Sequence, residues 1–115
     1  MGVGGHVGSR WSSGVVRASC EAGTLTIALE GNLDALTGSS LLEILCSELL
    51  DQPDRVDIDL RVLDSFTTDG SHALARCRDL CGSLSGGLHY VTEGGAGQLA
   101  LLAAFEHEPE VDAIS

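Results

Sequence analysis

The chain has 115 residues, of which 43% are hydrophobic, and this length suits one compact domain. Its 17 acidic and 6 basic residues give a formal net charge of -11, which repels nucleic-acid phosphates and anionic lipid headgroups. Only 3% of the residues are aromatic, so few rings are present to stack on bases. We therefore expect neither nucleic-acid nor membrane binding, and a partner surface that is basic.

The N-terminal segment "MGVGGHVGSR" lacks the apolar stretch of a secretory signal, and no run approaches the roughly 20 apolar residues of a membrane helix. We expect a cytoplasmic protein. Residues 1–13, which include Trp11, show no apolar period and are predicted to form a flexible tail ahead of a single domain at 14–115.

The first regular pattern predicts a β-hairpin. Two apolar runs with strand character flank a turn at residues 21–23, and they contain Val15, Val16, Ala18, Leu25, Ile27 and Leu29. A helix over about 38–51 follows, with Thr37 as its N-cap, because its apolar residues have helical spacing: Leu41, Leu42, Leu45, Cys46 and Leu49. The segment "RVDIDL" then alternates apolar and acidic residues and predicts a strand.

Two further helices are predicted in the second half of the chain. The second contains Ala73, Leu74, Cys77, Leu80, Cys81 and Leu84, and the third presents a face of Leu99, Leu102, Ala103 and Glu106. A short strand, "GLHYVTE", lies between them, and "VDAIS" is predicted to add an edge strand. The order of elements predicts an α/β domain, a mixed β-sheet covered by three main helices.

The cysteines and histidines give weak functional signals. The four cysteines are expected to be reduced thiols of the core, although Cys77 and Cys81 lie four apart on one helix face, the spacing of a redox pair or part of a metal site. His72, His89 and His107 lack paired-ligand spacing and are expected to lie on the surface or to have their hydrogen bonds satisfied within the fold. We find no catalytic constellation, so we expect no enzyme activity, metal or cofactor.

The glycine-rich segment "EGGAGQLA" lies between a strand and a helix, where backbone N–H groups can hold a phosphate. It lacks the Lys-Ser/Thr of a P-loop, and loop and helix-start glycines explain it better.

The stretch "DSFTTDGSHALARC" carries the strongest signal. Thr67, Thr68 and Asp69 lie at a predicted helix start, where unpaired N–H groups and the helix dipole favour a capping oxygen or an added phosphate. From the residues alone, both interpretations stay open. A phosphate there would leave the fold intact and block a docked partner by repulsion and desolvation.

The element order and two of these stretches resemble the sulfate transporter and anti-sigma factor antagonist domain, the STAS domain, from about Val15 onward. The stretch "EGNLDALTG" is similar to the family's Gly-Glu-Leu-Asp motif, with Asn32 in place of the acid. The family's phosphorylated tetrad, Asp-Ser-Ser-Gly, falls on residues 67–70, where Gly70 matches, Thr68 keeps the hydroxyl, and Thr67 and Asp69 depart.

The resemblance implies an anti-sigma factor antagonist that binds a serine-kinase type anti-sigma factor and thereby releases a sigma factor. It implies phosphorylation of Thr68, with Ser65 in the loop as the alternative acceptor. The expected partner-binding residues are Asp34, Thr67, Thr68, Asp69, Gly70 and His72. The alternative is a domain of the same fold that binds a small ligand or belongs to a larger sensory or transport assembly. We expect a monomer or a weak dimer.

Overall fold

The structure is a computed structural model that describes residues 14–114, with side chains up to residue 105. The predicted tail at 1–13 with Trp11, and the side chain of His107, lie outside the described residues. Within the described residues, seven elements follow one another: β1 (Val15–Glu21), β2 (Thr24–Leu33), α1 (Ala35–Leu49), β3 (Arg55–Phe66), α2 (Thr68–Leu80), β4 (Leu88–Val91) and α3 (Gly95–Ile114).

The four strands form one mixed sheet in the order β1-β2-β3-β4. β1 and β2 are antiparallel, whereas β2, β3 and β4 run parallel. The parallel pairs require crossovers, which α1 and α2 supply, and right-handed crossovers in the same direction place both helices on one face of the sheet. The predicted α/β domain with a mixed sheet and three helices is confirmed.

The predicted hairpin is also confirmed. Ala22 and Gly23 connect β1 to β2 with φ angles of 52° and 84°, as a two-residue type I′ turn requires. This turn matches the natural twist of the strands and fixes the register in which Glu21 lies opposite Thr24.

The core lies between the sheet and the helices. Alternate residues of the two central strands point into it and are buried, among them Leu25, Ile27, Leu29, Val56, Ile58 and Leu60. From the helices, Leu41, Leu45 and Leu74 complete this core and are fully buried. The opposite face of the central strands carries smaller or polar residues, such as Thr24, Thr26, Asp57 and Asp59, which are half-buried.

Four predicted details of the elements are wrong. α2 ends at Leu80, so Cys81 and Leu84, both predicted to belong to that helix, lie after it. α1 begins at Ala35 with Asp34 as its N-cap, so Thr37 lies inside the helix and is buried. β3 continues to Phe66, six residues beyond the predicted strand, because its pairing with β2 continues through two register shifts. The segment "VDAIS" forms no strand, since residues 111–114 belong to α3.

The predicted face of α3 is also wrong. Leu99 and Leu102 are 56% and 51% exposed, whereas Ala100 and Ala104 are buried against the rest of the protein. α3 packs on β3 and α2 through these small residues, together with half-buried Leu101 and Phe105 on its flanks. Small side chains let the helix approach the sheet closely.

The cysteines divide into two pairs. Cys77 and Cys81 are buried, as a core interpretation requires, but Cys20 and Cys46 are exposed, contrary to the expectation of four core thiols. Cys20 lies on the edge strand β1 and Cys46 on α1, and both thiols are open to solvent.

Candidate functional site

The starts of α1 and α2 lie side by side at one edge of the sheet. β2 and β3 are parallel and paired as far as Leu33 and Phe66, so the helices that follow them begin at the same edge. The backbone N–H of Thr67 donates to the Leu33 carbonyl oxygen at 2.9 Å. The predicted grouping of Asp34 with the start of the second helix is therefore seen in the structure.

Two side chains cap these helices. The Asp34 Oδ1 atom accepts a 2.9 Å hydrogen bond from the Thr37 backbone N–H, and the Thr67 hydroxyl accepts a 3.1 Å bond from the Gly70 N–H. Each cap satisfies one of the N–H groups left unpaired at a helix start. Asp34 and Thr67 thus have structural roles whatever else they bind.

A chain of polar contacts connects these caps to the strands below. The Ser65 hydroxyl donates to the Asn32 Oδ1 at 2.8 Å, and the Asn32 Nδ2 lies 3.4 Å from the Asp34 Oδ2. The Thr37 hydroxyl donates to the Asn32 carbonyl oxygen at 3.0 Å and accepts from the Gly14 N–H at 2.8 Å. Ser65 was predicted in a loop, but it lies in β3 and pairs with Asn32.

Gly70 is the point of closest approach between the two helix starts. It is buried, and a Cβ atom there would overlap the Leu33 carbonyl oxygen and lie 3.0 Å from the Asp34 Cα. Similarly, a Cβ on Gly38 of α1 would lie 3.0 Å from the Ala73 Cβ of α2. Of the predicted binding residues, Gly70 therefore allows tight packing and is not itself a contact surface.

The remaining predicted residues are open to solvent. Thr68, Asp69 and His72 are all exposed in the first turns of α2. No hydrogen bond joins the Thr68 hydroxyl to another described residue. The cap of α2 is the neighbouring Thr67, and the Ser71 hydroxyl donates to the backbone carbonyl oxygen of Thr68, not to its side chain. His72 lies one turn after Thr68, so the two side chains share a helix face.

A shallow groove of about 190 Å³ runs between the two helices beside these residues. It is lined by Ala35, Gly38, Ser39 and Leu42 of α1 and by Asp69, His72, Ala73 and Arg76 of α2. Exposed Leu36 adds an apolar side chain near the start of α1. Half of the lining residues are small and three are ionisable, and the groove is shallow, which suits a protein segment better than an enclosed small molecule.

We name this combined region the switch surface: Asp34, Thr67–His72 and the groove between α1 and α2. The sequence predicted Asp34 and the α2 half of this surface. It missed the α1 side of the groove, where Ala35, Gly38 and Ser39 are small residues that also fit an ordinary helix start.

A second groove, of about 480 Å³, lies at the opposite end of the sheet. Its lining residues come from the ends of α1 and α2 and the segments after them: Leu49, Gln52, Pro53, Asp54, Leu80, Ser83, Leu84 and Ser85. Asp54 is its one ionisable residue, so it offers little to fix a polar ligand.

The helix α2 is held against its neighbours by aromatic contacts. The Tyr90 hydroxyl donates to the Leu74 carbonyl oxygen, and burial raises the pKa of that hydroxyl. The ring of Tyr90 packs edge-on against Phe105 with centroids 5.8 Å apart, and the Arg78 guanidinium lies 4.8 Å from the Phe105 centroid. These contacts hold the middle and the end of α2 against β4 and α3.

The buried thiols are poorly suited to redox chemistry. Burial raises the pKa of Cys77 to about 12 and that of Cys81 to about 11, so little thiolate exists at neutral pH. Among residues 14–105, no three histidine, cysteine or acidic side chains are grouped as metal ligands. In that same part of the chain, no helix is both long and apolar enough to cross a bilayer.

The glycine-rich segment before α3 has a structural explanation. Gly94 and Gly95 have φ angles of 89° and 66°, which favour glycine, and a Cβ on Gly97 would lie 2.6 Å from the Leu60 carbonyl oxygen. Turning and close packing on β3 therefore account for these glycines.

The fold was compared with solved structures. An anti-sigma factor antagonist from Mycobacterium paratuberculosis superposes with a TM-score of 0.68 and 20% identity, over 89% of this chain and 82% of that one. The chain has the fold of an anti-sigma factor antagonist. This is the STAS fold expected from the sequence.

A protein designated Mglu also superposes, with a TM-score of 0.57 and 15% identity, over 64% of this chain but 18% of that one. No family model matches the chain, and no curated protein matches its sequence. The likeness to the STAS fold therefore rests on three-dimensional structure.

Proposed function

We propose that this chain is a regulatory binding module of the anti-sigma factor antagonist type, and that its switch surface docks a kinase-type anti-sigma factor. The fold supports the general role, because a solved structure with this fold is an anti-sigma factor antagonist. The residues of the site support the location, because two helix starts and an open groove meet there.

The observation that carries the proposal is that two adjacent threonines, Thr67 and Thr68, have different roles. Thr67 caps α2 through its hydroxyl, while the Thr68 hydroxyl is exposed and bonds to no described residue. A kinase can therefore modify Thr68 without removing the cap. The partner would transfer the γ-phosphoryl group of its own ATP to the Thr68 oxygen and release ADP, and the hydroxyl proton would pass to a base on the kinase.

Phosphorylation would act on the complex and leave the fold intact. About two negative charges at the first turn of α2 lie near the positive end of the helix dipole, which tolerates them. The same charges would stand beside Asp69 on the rim of the groove, where an anionic contact surface is costly to desolvate. Phosphorylated protein would therefore release its partner.

Affinity capture from lysate of the source cell, followed by mass spectrometry, tests the proposed partner and its binding site together. The bait would be the wild-type chain, with Ser39→Tyr as the variant that fills the groove. Ser83→Tyr is the matched control, because Ser83 is also exposed but lines the groove at the other end. We expect an anti-sigma factor to be recovered with wild type and the control and lost with Ser39→Tyr.

Recovery of transporter or sensor subunits instead would favour the alternative role as a component of a larger assembly. If the anti-sigma factor bound the Ser39→Tyr variant as well as wild type, its docking surface would lie elsewhere.

A further inference from the structure

We propose that β1 pairs with β1 of a second copy of this chain, and that the two sheets join into one of eight strands. This inference concerns a different surface from the proposed anti-sigma factor site and does not depend on it. It starts from the edges of the sheet. Among residues 14–114, β1 pairs with β2 on one side and with no strand on the other.

The turn determines which backbone groups face the open edge. In a two-residue hairpin the residues that flank the turn form a hydrogen-bonded pair, so Glu21 and Thr24 bond to each other. Bonding then alternates along β1: Arg17 and Ser19 also bond to β2, whereas Ala18 and Cys20 direct their N–H and carbonyl groups outward. Six of the seven residues of β1 are exposed. The edge is therefore long enough, and open enough, to template another strand.

The side chains of β1 favour antiparallel pairing with β1 of a second copy of the chain. Arg17, Ser19 and Glu21 lie opposite Ala28, Thr26 and Thr24, which places all three on the sheet face away from the helices. When two such strands pair about Ser19, Arg17 lies opposite Glu21 of the copy, and the two-fold symmetry repeats this ion pair.

The same register also aligns the backbone. Ala18 lies opposite Cys20 of the copy, so two residues whose hydrogen-bonding groups point outward face each other. The neighbouring register, centred on Ala18, places Arg17 opposite Ser19 and exposed Val15 opposite Glu21, and forms no ion pair. Charge complementarity therefore favours pairing about Ser19.

The other sheet edge is a weaker candidate. β4 has four residues, Leu88–Val91, and no pair of opposite charges within it. The β1 pairing also leaves the switch surface open: Ser19 lies towards the turn, whereas the helix starts lie at the opposite end of β2. A dimer would thus carry two separate switch surfaces.

Sedimentation equilibrium of the full chain tests the dimer. An edge contact of this size is expected to be weak, so the mean mass should rise from monomer towards dimer between micromolar and millimolar concentrations. Ala18→Pro should abolish the rise while the circular dichroism spectrum is kept, because the N–H that proline lacks points outward. A wild-type chain that stays monomeric over the whole range would overturn the proposal.

Charge variants test the register and avoid a proline. Glu21→Arg places like charges opposite each other and should weaken dimerisation by about tenfold or more, and adding Arg17→Glu should restore it. Because Arg17 also lies 3.4 Å from Glu30, Glu30→Gln is the control for this contact within one chain and should leave the dimer unchanged. Equal dimerisation by all these variants would reject the pairing of Arg17 with Glu21.

A disulfide tests the symmetry axis directly. In a chain with Cys20→Ser and Cys46→Ser, which removes the exposed thiols, Ser19→Cys should form a cross-linked dimer under mild oxidation. Residues 19 of the two copies form a pair that is not hydrogen-bonded, with Cα atoms close enough for a disulfide. Val15→Cys in the same background lies far from its copy and should not cross-link. Efficient cross-linking through residue 15 alone would contradict this register.

Discussion

The Thr67 backbone N–H donates a 2.9 Å hydrogen bond to the Leu33 carbonyl oxygen, which joins the N-cap of α2 to the end of β2. This bond places the start of α2 directly against the start of α1, because Asp34 follows Leu33 and caps α1. The switch surface is therefore fixed by backbone contacts, and substitutions at these positions have predictable effects on stability.

The first prediction concerns the contact beneath these caps. Gly70→Ala should lower the free energy of unfolding by about 1–3 kcal/mol or more, because the added Cβ would overlap the Leu33 carbonyl oxygen. Gly82→Ala is the matched control, since its Cβ would lie 3.5 Å from the nearest atom, an ordinary contact. Urea unfolding of both variants measures the difference. Equal stability of the two would mean that α1 and α2 are not packed as described.

The second prediction isolates the cap. Thr67→Ala removes the acceptor of the Gly70 N–H and should cost about 1 kcal/mol of unfolding free energy. Thr67→Ser keeps the oxygen and should cost much less. Chemical denaturation monitored by circular dichroism would separate them, and an alanine variant as stable as wild type would remove the capping role.

The third prediction follows from the corrected helix faces. Leu74→Ala should cost about 2–5 kcal/mol, because Leu74 is fully buried between α2 and the sheet. Leu99→Ala should change stability by less than about 0.5 kcal/mol, because Leu99 is 56% exposed. Thermal and urea unfolding of the two variants compare the same chemical change at a core and a surface site. A large loss at Leu99 would restore the face first predicted from the sequence.

These outcomes show how far apolar periodicity reaches. It predicted the hairpin and the existence of α2, although α2 ends at Leu80, before two residues of the predicted helix, Cys81 and Leu84. In "AGQLALLAAF" apolar residues surround the helix, so apolar periodicity could not show whether the leucines or the alanines are buried. The protein buries Ala100 and Ala104 because close packing on β3 requires small side chains there, and this requirement depends on tertiary structure.

The cap of α1 was missed for a local reason. Asp34 and Thr37 are three residues apart, and both are good N-cap residues, so the sequence allows the helix to start after either. The structure assigns the cap to Asp34 and buries Thr37, whose hydroxyl bonds to Asn32 and Gly14 instead. Gly14 precedes Thr37 by 23 residues, so this contact is beyond the reach of a local pattern.

The fourth prediction uses the buried thiols. Because the pKa of Cys77 is raised from 9.0 to about 12, its neutral form stabilises the folded state fully below pH 9.0. That contribution should be lost as the pH rises from 9.0 towards about 12, since the unfolded chain then ionises first. The unfolding free energy of wild type should therefore fall more steeply over this interval than that of Cys77→Ala.

Thiol labelling at neutral pH provides an independent measurement. Two of the four cysteines, Cys20 and Cys46, should react with Ellman's reagent at once, and Cys77 and Cys81 only on unfolding. Immediate reaction of all four would show that α2 is not packed against the core as described.

The last prediction addresses the proposed switch. Thr68→Ala should remain folded and bind the anti-sigma partner as wild type does, because Thr67 supplies the cap and the lost hydroxyl adds no charge. Thr68→Glu should weaken binding by placing an anion beside Asp69 on the groove. Isothermal titration calorimetry with the captured partner gives both affinities, and Ser83→Glu serves as the control for an added charge at the other end of the sheet.

Phosphopeptide mapping after incubation with partner and ATP identifies the acceptor. We expect phosphate on Thr68 and more of it in Asp69→Ser, because removing the neighbouring carboxylate lowers the local negative charge and brings the tetrad closer to the STAS pattern. Ser65 is a poorer acceptor in this structure, since its hydroxyl lies in β3 and is bonded to Asn32. Phosphate on Ser65 would place the phosphorylation switch on β3. Phosphate on none of these residues would mean that the binding module has no phosphorylation switch.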